Sequence, residues 1–324
     1  MKRKVIVLGA GGFVGRHIVD HLTKSSWASP VAVYRKPPKH VSHQQLPSTI
    51  IDATDHEQLR KAAEGSDFIV NCVTGKRPTI TDNAIALARL KELRPDIKVV
   101  HLSSMVVYGP AEGELTETSP LLARSDDYSK DKAFSDQLMQ DCEAIVMRPG
   151  IIYGTGSRLW TNRVATLLSS RRLGDLGAAG DGFCNLVYVN DVAFAIEQAL
   201  LIDTARSRKV FNLAAPNPPT WNEYFSAYAR SMGYVPVKRI SARKLWVETK
   251  IYAVPLKAAE LITDKLGPSS FNLPEPIAPS QLELFKQRIR LNSDTATNAL
   301  NIDWTGLPSA LTQIQSNRSA PLKA

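Results

Sequence analysis

Tyr128 and Lys132 stand four positions apart in the stretch SDDYSKDKAF, residues 125–134. Residues four apart on an α-helix face each other, so a phenol and an ammonium would share one face of a helix that begins here. Such a pair could serve proton transfer at a substrate oxygen. The same spacing also occurs at the ordinary polar start of a surface helix. The elements around the pair must decide between these two interpretations.

A glycine-rich turn near the start of the chain indicates a dinucleotide site. The aliphatic run from Val5 to Leu8 is typical of a strand buried on both faces, and it leads directly into Gly9, Gly12 and Gly15. Apolar residues at helical spacing follow, at Val14, Ile18, Val19 and Leu22. In this order of strand, turn and helix, the glycines permit a tight bend, the approach of backbone N–H groups to a pyrophosphate, and close helix packing. We therefore predict that this turn binds a dinucleotide.

The end of the second strand favours a phosphorylated dinucleotide. The stretch PVAVYRKPPKH should leave the sheet near Tyr34, where an NAD site usually places an acidic residue on the ribose 2′-hydroxyl. Arg35 and Lys36 stand there instead, with Lys39 close behind. A cation can pair with a 2′-phosphate, whereas a carboxylate would repel it. We therefore expect NADP(H) in preference to NAD(H); the alternative is that Arg35 stacks on the adenine.

The chain alternates strands with helices, which predicts an α/β fold, a Rossmann-type doubly wound parallel sheet with helices on both faces. We expect further strands in STIID, SDFIVNCVTG, KVVHLSSMVVYG and EAIVMRPGIIYG, and helices over 79–94 and from Tyr128. Ligands bind beyond the carboxyl ends of such strands. The strand ends predicted to face one crevice are Gly9, Tyr34, Arg35, Asp52, 71–74, Ser103, Ser104 and 148–153.

The loss of this alternation along the chain suggests a division into two parts. Residues 1–155 form the predicted dinucleotide-binding Rossmann domain, and 186–200 and 210–214 return to it. Residues 156–183 and 215–324 form the predicted smaller, C-terminal substrate-binding portion, because proline and polar residues become frequent from 216 onward.

Composition and charge exclude several classes of protein. Hydrophobic residues at 44% and charged residues at 22% are ordinary for a globular chain of 324 residues. The net charge of +9 favours anionic partners in general, but no zinc-finger spacing or dense basic stripe indicates nucleic acid. No run approaches the roughly 18 apolar residues of a membrane span. We expect a small-molecule substrate.

The cysteine and histidine spacings argue against disulfides and metal sites. The three cysteines are odd in number, far apart and without a C-x-x-C pair, at Cys72, Cys142 and Cys184. A reducing cytoplasm is the location that fits this usage best. His17 and His21 stand four apart, but Ile18 occupies the position where a metal-binding helix would need Glu. We therefore expect a solvated helix face and no metal.

Six ordered motifs resemble those of the extended short-chain dehydrogenase/reductases, the NAD(P)-dependent epimerase/dehydratase superfamily. They are GAGGFVG (9–15), SSMVVYG (103–109), YSKDK (128–132), RPGIIYG (148–154), YVNDVA (188–193) and FNLAAP (211–216). Chance does not produce such a series. The resemblance covers roughly the first 215 residues and makes Tyr128 and Lys132 the expected catalytic pair.

The resemblance implies a role for each site residue. Tyr128 would exchange a proton with a substrate hydroxyl or carbonyl while hydride moves to or from the nicotinamide. Lys132, with the nicotinamide cation, would lower the tyrosine pKa and would hold the nicotinamide ribose. Ser104 would hydrogen-bond the same substrate oxygen, with Ser103 as the alternative, and Asn83 matches an asparagine that is often structural. The expected cofactor contacts are Gly9, Gly12, Phe13, Val14, Gly15, Arg35, Asp52, Ala53, Val73, Lys132, Pro149 and Ile151.

Two departures from the family pattern narrow the expected activity. Sugar-nucleotide dehydratases carry an Asp-Glu pair where Met105 and Val106 stand, so dehydration is disfavoured. Many nucleotide-sugar enzymes carry an Arg-Asp pair, whose Arg grips a substrate phosphate, where Cys184 and Asn185 stand. Other basic residues could substitute, such as Arg158, Arg163 or Arg239. The form NLVYVNDVA looks closer to the hydroxysteroid dehydrogenase and dihydroflavonol reductase branch, which acts on less polar carbonyls and alcohols.

We therefore expect an NAD(P)-dependent oxidoreductase of the extended short-chain type that acts on a secondary alcohol or ketone of a small or moderately apolar metabolite. The alternative enzyme is a nucleotide-sugar epimerase with tightly bound NAD. A non-catalytic cofactor-sensing or scaffold protein is the third alternative, but such proteins typically lose the Tyr or the Lys. A homodimer is an open possibility for the assembly.

The stretch ARKLWVETKIYAVPLKAAELITDKLG interleaves apolar and basic residues near the C-terminus. The apolar residues are Leu245, Trp246, Tyr252, Leu256 and Ile262, and the basic ones are Arg243, Lys244, Lys250 and Lys257. They could wall an apolar substrate pocket or make a peripheral contact with a membrane surface. The alternative is a plain packing face interrupted at Pro255.

Overall fold

The computed structural model describes residues 2–37, 46–203, 209–247 and 277–319. The strands in these ranges are β1 (Arg3–Leu8), β2 (Ala28–Tyr34), β3 (Ser48–Ile50), β4 (Phe68–Asn71), β5 (Lys98–Leu102), β6 (Gly113–Leu115), β7 (Ile145–Pro149), β8 (Ile151–Tyr153), β9 (Leu186–Tyr188), β10 (Val210–Leu213) and β11 (Ile289–Leu291). The main sheet has seven parallel strands in the order β10-β7-β5-β4-β1-β2-β3. Two further pairs, β11 with β6 and β8 with β9, form separate two-stranded sheets.

Helices connect the strands of the main sheet. The α-helices of the described ranges are α1 (Phe13–Lys24), α2 (His56–Ala62), α3 (Thr79–Leu93), α4 (Asp127–Asp141), α5 (Arg163–Ser169), α6 (Val189–Leu201), α7 (Trp221–Ser231), α8 (Ala242–Val247), α9 (Pro279–Lys286), α10 (Asp294–Leu300) and α11 (Leu307–Ser319). Short 3₁₀ turns cover Met105–Tyr108 and Gly177–Gly180, and a π-turn covers Arg158–Asn162. The predicted Rossmann-type α/β fold is confirmed.

Strand β1 is an inner strand of the sheet, as expected from side chains that are apolar on both faces. The run from Val5 to Leu8 is fully buried, as its sequence predicts. Leu8, the last residue of β1, pairs with Val33 of β2 and with Asn71 of β4. Asn71 pairs in turn with His101 of β5. The segments that follow these four strands therefore lie side by side along one edge of the sheet.

The predicted sixth strand divides at Gly150 into β7 and β8. The Gly150 N–H donates to the Leu213 O of the main sheet at 2.9 Å, and the next N–H, of Ile151, donates to the Asn185 O at 2.7 Å. A Cβ on Gly150 would lie only 2.1 Å from that Asn185 oxygen. The chain can therefore leave the main sheet here and pair with β9. Helix α6, which follows β9, packs on α1 and on the main sheet, and β10 joins the sheet beside β7.

A second core, rich in aromatic rings, lies outside the main sheet. Its centre is Trp221, whose ring centroid lies 4.6 Å from that of Phe285 and 5.7 Å from that of Phe225. Tyr224 and Tyr153 extend this cluster, with centroids 6.0 Å apart. Helix α7 therefore joins β8 to α9 by edge-to-face and tilted ring contacts.

Helix α8 contains Leu245 and Trp246 of the amphipathic C-terminal stretch. The other apolar residues of that stretch, Tyr252, Leu256 and Ile262, lie outside the described residues. Lys39 also lies outside them. None of the helices in the described ranges is both long and apolar enough to cross a membrane.

Candidate active site

The glycine turn after β1 forms a cradle for an anion. Gly9 has φ +74°, in the left-handed region that favours glycine, and its O accepts a hydrogen bond from the Gly12 N–H at 2.9 Å. A Cβ on Gly15 would lie 2.3 Å from the Gly9 O, so glycine is needed for this close approach. Gly12 precedes α1 and has no side chain to cover the first N–H groups of the helix. These open donors and the positive helix end fit a pyrophosphate.

The two histidines of α1 tie the helix to neighbouring segments. His17 Nε2 lies 2.9 Å from the Thr155 O, and His21 Nε2 lies 2.5 Å from Glu197 Oε2. Both histidines are only partly exposed. The expectation of a solvated helix face is therefore wrong, because α6 and the loop after β8 pack against that side of α1. No cluster of three His, Cys, Asp or Glu residues suited to a metal is present in the described part of the chain.

The residues predicted for the adenosine half of the cofactor follow β2 and β3. The Tyr34 ring lies 3.4 Å from the place that a Cβ of Gly11 would take, so it borders the glycine turn. Arg35, the next residue, is exposed, and its side chain forms no hydrogen bond or ion pair with the other described residues. Asp52 Oδ1 accepts hydrogen bonds from the N–H and the hydroxyl of Thr54, at 3.0 and 2.8 Å. Arg35 can therefore reach a ligand at this edge.

A buried amide network fixes the segments after β3 and β4. Asn71 Nδ2 donates to Asn83 Oδ1 at 2.8 Å and lies 3.0 Å from His101 Nδ1. Asn83 Nδ2 donates to the Ala53 O at 2.8 Å, and the Val73 N–H donates to Asn71 Oδ1 at 3.2 Å. Burial lowers the pKa of His101 to about 3, and the charge of a nearby lysine acts in the same direction. Asn83 thus holds the predicted cofactor residue Ala53, and Asn71, which is bonded to Asn83, holds the predicted cofactor residue Val73.

Tyr128 lies in the first turn of α4. Asp126 caps this helix, because its carboxylate accepts hydrogen bonds from the N–H and the hydroxyl of Ser129, at 2.9 and 2.8 Å. Tyr128 is 44% exposed, and its ring is therefore open on one side. The helix begins within one residue of the position that the sequence predicts.

The Tyr128 hydroxyl contacts the side chains of Thr74 and Ser104. Although the ring is open, the hydroxyl end is crowded, and its burial raises the tyrosine pKa above the usual value. Hydrogen bonding to Thr74 lowers this pKa, the charge of Asp126 raises it, and hydrogen bonding to Ser104 lowers it, so that the net direction is upward. Thr74 falls within the strand ends predicted to face the crevice, but the sequence motifs assign it no role. Its contact with Tyr128 depends on tertiary structure, because α4 places the tyrosine beside the segment that follows β4.

Lys132 is buried, four residues after Tyr128. Its Nζ donates a hydrogen bond to the Leu102 O, at the end of β5, at 2.9 Å. Burial lowers the pKa of Lys132 to about 8, against the raising effects of Cys72 and Asp136. The tyrosine pKa is raised, and Lys132 is not among the groups that shift it. The ammonium of Lys132 is directed to the end of β5. The combined effect of Lys132 and a bound nicotinamide on the pKa of Tyr128 stays a prediction.

Ser103 and Arg148 belong to a buried network beneath the crevice, so the expectation that they line it is wrong. Ser103 Oγ donates to Asp136 Oδ2 at 2.5 Å. Arg148 donates to the same carboxylate twice, from Nε at 2.9 Å and from Nη2 at 2.7 Å. It also donates to the Tyr108 hydroxyl at 3.0 Å. Because Ser103 is already bonded in this way, Ser104 is the serine that faces Tyr128.

Ser104 is positioned by the 3₁₀ turn that follows it. Its Oγ accepts a hydrogen bond from the Val106 N–H at 3.3 Å and so caps that turn. Of the other predicted cofactor residues, Phe13 and Val14 begin α1, Pro149 ends β7, and Ile151 begins β8. The structure therefore brings the glycine turn, Tyr128 and Ser104 to one edge of the sheet.

The positions that depart from the family pattern are built into the protein interior. Met105 is buried, and its neighbour Val106 is apolar, so neither can act as an acid or a base. Cys184 lies fully buried in the aromatic core. Asn185 serves the backbone of β11, since its Nδ2 donates to the Ile289 O at 2.9 Å and its Oδ1 accepts from the Leu291 N–H at 2.9 Å. These four positions offer no phosphate ligand.

Of the basic residues considered as substitutes, Arg239 is already paired. Its Nη1 lies 2.6 Å from Asp175 Oδ2. Arg158 and Arg163 follow β8, where Arg158 is exposed and Arg163 is half-buried.

Comparison with known proteins gives a consistent family and fold. A family model described as the NAD dependent epimerase/dehydratase family matches residues 5–214. The fold is similar to that of dTDP-glucose 4,6-dehydratase from Bacillus anthracis in complex with NAD, with TM-score 0.71, 18% identity and coverage of 97% of each chain. It is also similar to UDP-N-acetylglucosamine 4-epimerase from Bacillus cereus, with TM-score 0.70, 15% identity and coverage of 98% of this chain and 100% of that one.

Proposed function

The chain belongs to the NAD dependent epimerase/dehydratase family, and we propose that it is an NAD(P)-dependent oxidoreductase acting on a secondary alcohol or ketone of a small or moderately apolar metabolite. One observation carries this proposal: the Tyr128 hydroxyl contacts Ser104 and Thr74 at the sheet edge that also holds the glycine turn. A proton donor and two hydroxyls that can orient an oxygen thus lie on the cofactor side of the sheet.

The chain's own residues supply proton transfer and orientation. When bound, the nicotinamide would supply the hydride donor or acceptor. The pKa of Tyr128 lies above its usual value, so the hydroxyl carries a proton at neutral pH that it can donate to a carbonyl oxygen in the reduction direction. Ser104 holds that oxygen by a hydrogen bond, and Thr74 orients the tyrosine hydroxyl. Lys132 fixes α4 to the end of β5 through its hydrogen bond to the Leu102 O, and so positions the site.

Several described residues are suited to hold the cofactor. Gly9, Gly12 and Gly15 give the pyrophosphate access to the first N–H groups of α1. Asp52 and Ala53, fixed by Thr54 and Asn83, border the adenosine side. The remaining proposed contacts are Phe13, Val14, Arg35, Val73, Lys132, Pro149 and Ile151.

The residues at the four positions that depart from the family pattern favour a substrate without a diphosphate. Met105 and Val106 leave no acid and base pair for eliminating water, and Cys184 presents no cation to a phosphate. A nucleotide-sugar epimerase is the second candidate, because the similar solved structures include one of a UDP-N-acetylglucosamine 4-epimerase. Tyr128, Ser104 and Lys132 would serve either reaction.

Net consumption of the cofactor distinguishes the two candidates. Incubated with NADPH and a panel of ketones, the full-length protein should oxidise NADPH in proportion to the alcohol formed. The measurement is the loss of NADPH absorbance together with product quantification. Release of tightly held NAD on denaturation, with interconversion of UDP-sugars and no net change in cofactor, would instead establish the epimerase.

The preference for NADP(H) over NAD(H) rests on Arg35. The exposed guanidinium at the end of β2 can pair with a 2′-phosphate. Changing Arg35→Asp should raise the Kd for NADP(H) by about 10- to 100-fold, because a charged hydrogen bond is lost and a carboxylate then faces the phosphate. The Kd for NAD(H) should stay level or fall, and both are measured by calorimetric titration. An equal rise in Kd for NADP(H) and NAD(H) would contradict the pairing of Arg35 with the 2′-phosphate.

A matched control is Arg89→Asp. Arg89 is exposed near the end of α3, and a crossover helix ends at the sheet edge opposite to the crevice. This change alters the net charge by the same amount and should leave the Kd of both cofactors unchanged.

A further inference from the structure

Four exposed basic side chains gather on the surface of the C-terminal part of the chain. This cationic patch consists of Arg171, Lys238, Arg243 and Lys244. Lys244 Nζ donates to the Arg171 O at 3.4 Å, which brings α8 against the segment after α5. The Lys238 and Lys244 side chains are in contact, and this contact lowers the pKa of Lys238, with the charge of Arg171 acting in the same direction. Three cations therefore lie together.

The backbone holds these cations in place. The Asp175 N–H donates to the Lys238 O at 2.9 Å, and the Ile240 N–H donates to the Asp175 O at 2.8 Å. The Asp175 carboxylate does not neutralise the patch, because it is paired with Arg239 at 2.6 Å. Among the residues that the structure describes, no carboxylate forms an ion pair with Arg171, Lys238 or Lys244. Like charges gathered in this way suit an external anionic surface.

Large apolar side chains are exposed beside the cations. Trp246 is 58% exposed, and it stands three residues after Arg243, so both lie on the same side of α8. Val235 is 64% exposed and precedes Lys238 by three residues, which places it within about 11 Å along the chain. Leu245 is buried and anchors α8 to the core. Basic residues next to an exposed tryptophan and an aliphatic side chain are typical of interfacial membrane contacts.

We propose that the cationic patch, with Trp246 and Val235, docks the protein on the surface of an anionic lipid bilayer. The ammonium and guanidinium groups bind lipid phosphates, while Trp246 and Val235 enter the boundary between headgroups and acyl chains. A bilayer fits better than a nucleic acid, because the aliphatic Val235 gains nothing from base stacking but would be buried in the boundary between headgroups and acyl chains. This proposal is independent of the reaction that the active site catalyses.

Vesicle co-sedimentation of the full chain tests the proposal. The protein should bind vesicles of phosphatidylcholine with phosphatidylglycerol, should not bind pure phosphatidylcholine, and should dissociate as salt is raised. Each basic residue near an anionic surface contributes about a fivefold factor in partitioning, so Lys238→Glu with Lys244→Glu should weaken binding by at least about 30-fold. Lys61→Glu with Arg89→Glu makes the same change in net charge on α2 and α3 and should have little effect.

Tryptophan fluorescence gives a second readout. Anionic vesicles should shift the emission of the unmodified protein to the blue, and Trp246→Phe should abolish most of that shift. Circular dichroism verifies that each variant is folded. If the double charge-reversal variant is not folded, Lys238→Gln with Lys244→Gln takes its place. Equal binding by the patch variant and its control would overturn the proposal. So would the absence of vesicle binding, or binding to a single-stranded oligonucleotide alone.

Discussion

Replacing Tyr128 by phenylalanine should lower kcat by about 10²- to 10⁴-fold, which is the usual contribution of a positioned general acid or base. The change removes only the hydroxyl that contacts Ser104 and Thr74 and leaves the ring in the first turn of α4. The cofactor Kd should change little, because the glycine turn is untouched. The measurements are steady-state turnover of the first ketone found to oxidise NAD(P)H, and cofactor binding by fluorescence titration.

The matched control is Tyr234→Phe. Tyr234 is also 44% exposed, but it lies after α7, away from the strand ends that form the crevice. This variant should keep the turnover of the unmodified protein. If Tyr128→Phe turned over substrate at the same rate as Tyr234→Phe, the assignment of proton transfer to Tyr128 would be wrong, although the dinucleotide site would stand.

Changing Asp136→Asn should lower the free energy of unfolding by about 3–5 kcal/mol, because it leaves a buried charge without its partner. The Arg148 side chain is 2% exposed and that of Asp136 is 0% exposed, with Nη2 and Oδ1 2.7 Å apart. Ser103 loses an acceptor at the same time. Urea unfolding followed by circular dichroism measures the loss, and the site above the network should lose activity with the fold.

Two variants separate the buried charge from a general effect of removing a carboxylate from α4. Asp127→Asn breaks an exposed pair with Arg77, at 3.4 Å, and should cost about 0–1 kcal/mol. Combining Asp136→Asn with Arg148→Met removes the unpaired charge and should restore part of the stability. Equal losses for the two single variants would contradict the buried-pair argument.

Much of the scaffold could be predicted from the order of residues along the chain. The aliphatic run of β1, the glycines at 9, 12 and 15, and the alternation of strands and helices predict the confirmed parallel sheet. These features depend on local preferences, namely apolar periodicity and the positive φ of Gly9. The start of α4 is local as well, since Asp126 caps it. The sixth strand was not predictable in the same way, because its division at Gly150 depends on β9.

The direction of each site residue was decided by tertiary structure. Ser103 and Ser104 are adjacent and chemically equal, yet Ser103 bonds to Asp136 while Ser104 contacts Tyr128. Lys132 shares a helical face with Tyr128 but binds the Leu102 O. The sequence by itself thus determined which elements form and which residues come near the crevice. Only the packing of α4 against α3, β7 and the 3₁₀ turn after Ser104 decided where each polar group points, because a buried donor or acceptor takes the partner that a distant segment offers.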